Sequence, residues 1–206
     1  MYLSHIDKED KRIKTLISRH KKLVFVKCWR HEKITVPPKA FLISIENGNF
    51  NQLTNCSPEQ ITHLACIDEF NERVDNLPQK IIQLQFGRVF DRPLNYLPQI
   101  IERLTVGYDY NQQINNLSKS ITHIQLGVEF DQKVNKLPHK LVLFRTHLCF
   151  NQKLNKFPKT IRIIGVGGDC FDHSLNKLGE NVDKIILSKK YNKPIPKRLI
   201  NKIKRC

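Results

Sequence analysis

The sequence predicts a mainly β repeat solenoid in which each coil of about 20 residues supplies one short parallel strand. Three observations predict it. An aromatic recurs at Phe50, Phe70, Phe90, Tyr110, Phe130, Phe150, Phe171 and Tyr191, in steps of 20 with one step of 21. An Asn or Asp follows each one: Asn51, Asn71, Asp91, Asn111, Asp131, Asn151, Asp172 and Asn192. Each unit then closes on an alternating run such as Leu84-Gln-Phe86, Leu104-Thr-Val106 or Ile124-Gln-Leu126, and Gly87, Gly107, Gly127 or Gly167 often ends it. Alternation with period 2 marks a strand with one buried face.

The elements follow in order. Residues 4–20 carry Ile6, Ile13, Leu16 and Ile17 near one helical face behind Ser4, a good N-cap, and are expected to form a helix. Residues 1–22 are therefore assigned as a basic helical cap. Leu23, Phe25 and Trp29 repeat the spacing of Leu84, Phe86 and Phe90, so Leu23–Val26 is expected to be a degenerate first strand. Phe41 to Ile45, after Pro37-Pro38, is the second. Further strands are expected to begin near residues 63, 83, 103, 123, 143, 163 and 184. The solenoid spans 23–195. Pro194–Arg205 reads as a short basic helical or irregular segment, so 196–206 is a C-terminal cap.

Each recurrent residue has a physical role. Glycine after the strand allows positive φ or close backbone approach. Leu77-Pro78, Leu97-Pro98, Leu137-Pro138 and Phe157-Pro158 belong to the connections, because proline cannot donate to a ladder. One such unit cannot bury its apolar face alone; stacked units bury a continuous core, with the aromatics in a column. The Asn/Asp column after the aromatics, and a second at Asn55, Asp75, Asn95, Asn115, Asn135, Asn155 and Asn176, are expected to bond turn backbone or the neighbouring coil. A calcium column is the functional alternative, but the positions are mostly neutral Asn.

The phrase Phe-Asn-x-x-Ile/Leu, followed by Leu-Pro-x-x-Ile-x-x-Leu-x-Leu/Phe-Gly, resembles the FNIP repeat, a leucine-rich-repeat relative abundant in amoebae and in the giant DNA viruses that infect them. The resemblance covers about residues 50–195. It implies a leucine-rich-repeat-like fold and a protein-interaction scaffold, sometimes joined to an F-box, and no catalytic residues. Residues 4–20 are too short for an F-box. A narrow apolar face without Trp or Phe also favours a capping helix over a membrane-binding one.

The net charge is +16, unevenly spread. Residues 1–40 hold 11 Lys/Arg against 4 Asp/Glu, residues 180–206 hold 9 against 2, and residues 41–179 hold 15 against 13. Basic ends suit the polar covering a solenoid needs at its terminal coils. They also raise nucleic-acid binding through the basic caps as the alternative function. No apolar run approaches a transmembrane span, and the N-terminus lacks a secretion-signal layout. Six cysteines without a CxxC then point to reduced thiols in an intracellular protein, of the cytoplasm or nucleus. Cys66 reads as a small buried residue, and Cys149 and Cys170 fall at nearly equivalent places on neighbouring coils.

No phosphate-loop, zincin or zinc-ligand spacing occurs, so no enzyme, metal or cofactor is expected. Gly165-Val-Gly-Gly168 reads as a distorted turn. His63 and His123 share a column but stand three coils apart, about 14 Å, too far to hold one metal. The candidate site is the outward strand face, concave in leucine-rich repeats: Gln83, Arg103, His123, Leu143 and Ile163 in one column, Gln85, Thr105, Gln125 and Arg145 in the next. Its polar first half and more apolar second half suit an unknown protein partner met by a monomer.

Overall fold

The alternating runs form strands, and the strands pair in sequence order. A computed structural model of the chain describes residues 42–45, 62–66, 69–75 and 77–206. The expected helix at 4–20, the strand at 23–26 and Phe50 lie outside them. The strands are β1 (Leu42–Ile45), β2 (His63–Cys66), β3 (Gln83–Gln85), β4 (Arg103–Thr105), β5 (His123–Gln125), β6 (Leu143–Thr146), β7 (Ile163–Val166), β8 (Lys184–Leu187) and β9 (Ile203–Arg205). Each pairs in parallel with the next, giving a sheet of nine strands among the described residues.

The register keeps like residues over like. Leu64, Leu84, Leu104, Ile124, Phe144, Ile164 and Ile185 form one inward column through successive pairings, and all are buried. Beside them the aromatics stack. Phe70, Phe90, Tyr110, Phe130, Phe150, Phe171 and Tyr191 follow one another with ring centroids 6.0, 6.0, 6.3, 6.0, 6.2 and 5.8 Å apart. Their planes lie within 19° of parallel, the offset stacking aromatic pairs favour.

Among the described residues the side opposite the sheet has no strands, yet its backbone finds hydrogen-bond partners. Asn71 Oδ1 accepts the Asp91 N–H at 3.0 Å, Asp91 Oδ1 the Asn111 N–H at 2.9 Å, and Asn111 Oδ1 the Asp131 N–H at 3.0 Å. Asp131 and Asn151 continue the series to Asn151 and Asp172, at 2.7 and 2.9 Å. A side-chain ladder thus replaces the missing strand ladder and explains why only Asn or Asp serves there. Elsewhere the Leu-Pro connections close as tight turns, with Ile81, Ile101, Leu141 and Ile161 N–H bonded to the carbonyls of Pro78, Pro98, Pro138 and Pro158.

Close approach, rather than unusual backbone angles, fixes the glycine column. A Cβ on Gly107 would lie 1.8 Å from the Gly87 carbonyl oxygen, and one on Gly127 would lie 1.5 Å from that of Gly107. The single 21-residue step falls in the same turn. Strands β6 and β7 pair at an offset of 20, β7 and β8 at 21, and the extra residue lies between Val166 and Phe171. Gly168 makes room for it: a Cβ there would meet the His147 and Leu148 carbonyl oxygens at 2.4 Å. The expectation of a turn over 165–168 is corrected in part, since Gly165 and Val166 belong to β7.

The C-terminus forms a 3-10 helix at Lys197–Lys202 and then strand β9, which the sequence pattern did not anticipate. Its basic residues serve the last coil. Arg198 donates to the carbonyls of Asn176 and Leu178, Lys202 to that of Glu180, and Arg205 to those of Ser188 and Tyr191. Cationic side chains thus satisfy carbonyls of this coil.

Two predictions follow from this packing. Tyr110 lies between two rings, whereas Tyr191 has one ring neighbour and the Arg205 guanidinium 5.7 Å from its centroid. Denaturant melts should show Tyr110→Ala losing roughly 3–5 kcal/mol and Tyr191→Ala clearly less. Tyr110→Phe should lose nothing and gain up to about 1 kcal/mol, because the buried Tyr110 hydroxyl has no hydrogen-bond partner. Separately, Gly107→Ala should destabilise by several-fold more than Gly167→Ala, whose Cβ would meet only the Cys206 Sγ, at 3.3 Å. Equal melting shifts would contradict the close-approach account.

Candidate interaction surface

Strand geometry sends alternate side chains outward, and the register lines them up. All nine sequence-predicted positions lie on this one face. Gln83, Arg103, His123, Leu143 and Ile163 are consecutive partners, as are Gln85, Thr105, Gln125 and Arg145. Arg103 is exposed and the other eight are half-buried. The five strands β3–β7 span four steps, about 19 Å.

His123 sits at the centre. Its Nδ1 lies 2.8 Å from Thr122 Oγ1, which is 3.1 Å from the Glu102 carbonyl oxygen. A hydroxyl has one proton; given to that carbonyl, it leaves Oγ1 to accept from Nδ1–H. Nε2 is then an outward acceptor. Partial burial lowers the His123 pKa, Arg103 lowers it further, and Glu102 opposes both. The ring is therefore neutral at pH 7, so the face offers an acceptor beside the Arg103 cation.

Arg145 is held differently. Its Cγ would lie 2.8 Å from a Cβ on Gly165, the next residue in its column, so the stem lies across a strand position with no side chain. The buried Arg145 Nε has no hydrogen-bond partner among the described residues. Glycine in the strand, read from sequence as a turn residue, is what lets this arginine lie flat. Leu143 and Ile163 flank it in the neighbouring column.

The face has an exposed margin that the alternation pattern did not disclose. In the turn after the strands, Tyr108 and Leu148 are 46% and 51% exposed, and the Arg88 guanidinium stands 5.8 Å from the Tyr108 ring centroid. The turn's backbone holds them in line: Asp109 N–H bonds the Arg88 carbonyl and Glu129 N–H that of Tyr108. The available signal was an apolar residue in the turn just after the strand, behind Gly107 for Tyr108 and behind His147 for Leu148, where the core no longer requires one.

Two of the described thiols have environments that disfavour the thiolate. Burial pushes the Cys66 thiol well up; burial and then Glu129, 3.8 Å from its sulfur, push up that of Cys149. Both stay protonated at neutral pH and are weak nucleophiles. Among the described residues no three His, Cys, Asp or Glu side chains gather to hold a metal, and no helix is long and apolar enough to cross a membrane.

The coils superpose on the crystal structure of CroV588, a giant-virus protein described as a novel circular LRR protein structure, with a TM-score of 0.70 over 89% of this chain at 22% identity. The fold is that of a leucine-rich-repeat solenoid. This chain spans 33% of the length of that neighbour. No protein-family model and no curated protein matches the chain.

The electrostatics of this leucine-rich-repeat face can be checked by NMR titration. His123 should titrate below about 6.5. Arg103→Gln should raise its midpoint and Glu102→Gln should lower it further, as the signs of the two neighbours require. Because the unfolded histidine takes up its proton first as pH falls, this site's contribution to stability should decline below that pH.

Proposed function

We propose that the chain is a non-enzymatic protein-interaction scaffold of the FNIP-repeat type, an intracellular monomer that binds a protein through its outward strand face. One observation carries the reading. The inward columns hold one kind of residue from coil to coil, whereas the outward column runs His63, Gln83, Arg103, His123, Leu143, Ile163, Lys184. The repeat constrains the core and leaves this face free to vary. The giant-virus neighbour supports a viral origin.

The chemistry of the face suits a protein. It pairs donors and acceptors with an apolar patch, and its margin adds Tyr and Arg, residue types that anchor interfaces. Strands β3–β7 alone offer roughly 200–300 Å², at ~4.8 Å per strand and ~3.3 Å per residue. A specific interface needs about 800 Å² per partner, so the partner must extend past the strands onto that margin.

The alternative, nucleic acid held by the basic caps, is weakened at the C-terminal end. There Arg198, Lys202 and Arg205 are bonded to backbone carbonyls, and Lys190 and Lys193 are paired with Asp169 and Asp172 at 2.7 and 2.9 Å.

The test is a pull-down with the full chain and with a variant carrying Arg103→Glu, His123→Glu and Arg145→Glu. The variant should keep its circular dichroism and lose its partner. Unchanged capture by a folded variant would remove the strand face from consideration.

A further inference from the structure

The basic character of the chain has a second location, away from both ends and away from the strand face. Residues 132–168 hold six Lys and two Arg and no Asp or Glu. Before them, residues 69–131 hold six basic and eight acidic residues. A tally over thirds of the sequence hides the contrast, because the acidic coils offset the basic ones.

The six lysines follow the course of two stacked coils from the strandless side into the proline turn. Lys133 and Lys153 stand three residues after the column aromatic, Lys136 and Lys156 six after, and Lys140 and Lys159 within the Leu-Pro or Phe-Pro turn. The Asp131-to-Asn151 ladder bond on one side and the Leu143–Ile163 pairing on the other lock these two coils in register. Lys153 is thus one coil from Lys133, and Lys156 one coil from Lys136, about 4.8 Å at the backbone. All six are exposed, and none forms an ion pair with a described residue. Like charges stacked directly opposite destabilise a ladder. Nothing acidic in these coils offsets them.

The composition selects among polyanions. Protein interfaces are depleted of Lys and enriched in Arg and aromatics, and this edge has the reverse. A membrane site needs apolar anchors beside its cations, but the exposed apolar residues of this edge, Tyr96 and Ile100, stand two coils away. Single strands need aromatic platforms, which these coils do not expose. Regularly spaced lysines interleaved with exposed Asn135 and Asn155 are what sequence-independent phosphate contacts use.

We propose that the proline-turn edge of the coils spanning residues 132–168 binds the phosphate backbone of duplex nucleic acid without regard to sequence. The site is separate from the strand face, and Lys177 extends it by one coil toward the C-terminus. Contacts of this kind release counterions, so each contributes about 0.9 to the slope of log K against log salt on B-form DNA.

The experiment measures binding of the full chain to DNA and RNA duplexes of about 20 base pairs, between about 50 and 200 mM salt. One variant carries Lys133→Gln, Lys136→Gln, Lys153→Gln and Lys156→Gln. A control with equal charge loss carries Lys8→Gln, Lys11→Gln, Lys14→Gln and Lys21→Gln. On DNA the edge variant should lose about 3 to 4 from the salt slope, and the control less than about 1. Arginine at the same four edge positions should restore the slope, showing that the loss comes from charge. The duplex bound more tightly identifies the form recognised. Equal losses in both variants, no wild-type binding at the lowest salt, or loss of binding to phosphatidylserine vesicles with duplex binding intact would each overturn the proposal.

Discussion

Everything in this molecule depends on one backbone requirement: the N–H groups on the strandless side of each coil must find acceptors in the coil before. A sheet meets that need on one side automatically. On the other side, Asn and Asp side chains meet it, and each accepts one backbone N–H, that of its own counterpart one coil on. The bond therefore enforces identical placement of successive coils. Identical placement is what stacks the aromatic rings about 6 Å apart and nearly parallel. It also brings the glycine turns so close that no side chain fits between them. Core packing supplies the larger share of the stability. The ladder determines which packing is reached.

The coil between β7 and β8, one residue longer than those before it back to β2, shows where this order can bend. The 21-residue step could have shifted the strand, the ladder or the turn. A slip in the strand would have turned its buried side chains outward. A slip in the ladder would have left an amide N–H without an acceptor. The extra residue enters the turn at Gly167-Gly168 instead, and the next ladder bond, from the Asp172 N–H to Asn151 Oδ1, keeps its length of 2.9 Å. Near the C-terminus the complementary need, donors for carbonyl oxygens, is met by cationic side chains reaching back to the preceding coil.

Much of this was legible in the sequence because the roles recur. The aromatic and Asn/Asp columns appear as residues at fixed spacing, and the pattern of the sheet follows from the period of the alternating runs. What was not legible lacks a repeat partner. Strand β9 occurs once, after the last aromatic, and is recruited by the open edge of β8 rather than by its own pattern. Gly165 looked like part of a glycine-rich turn because only the structure shows Arg145 lying across it. Tyr108 and Leu148 are exposed in a position whose occupants differ from coil to coil, so no periodic signal marks them. The outward face could be located from alternation, but its chemistry depends on lateral neighbours. The lowered His123 pKa arises from burial and from Arg103, 20 residues away in sequence.

The same register gives surface residues a property that most folds deny them. On a solenoid, a surface position is repeated at coil spacing whether or not the core needs it. A run of similar residues at one position becomes a ruled line of chemistry. The lines here differ in kind. The strand face changes residue at nearly every step, the form of a surface that distinguishes one partner from another by particular contacts. The proline-turn edge repeats lysine over lysine across two coils, the form of a surface that meets a periodic charge. Variation and repetition on neighbouring surfaces of one stack would let both proposed sites be occupied at once, because a ligand on either need not disturb the columns beneath.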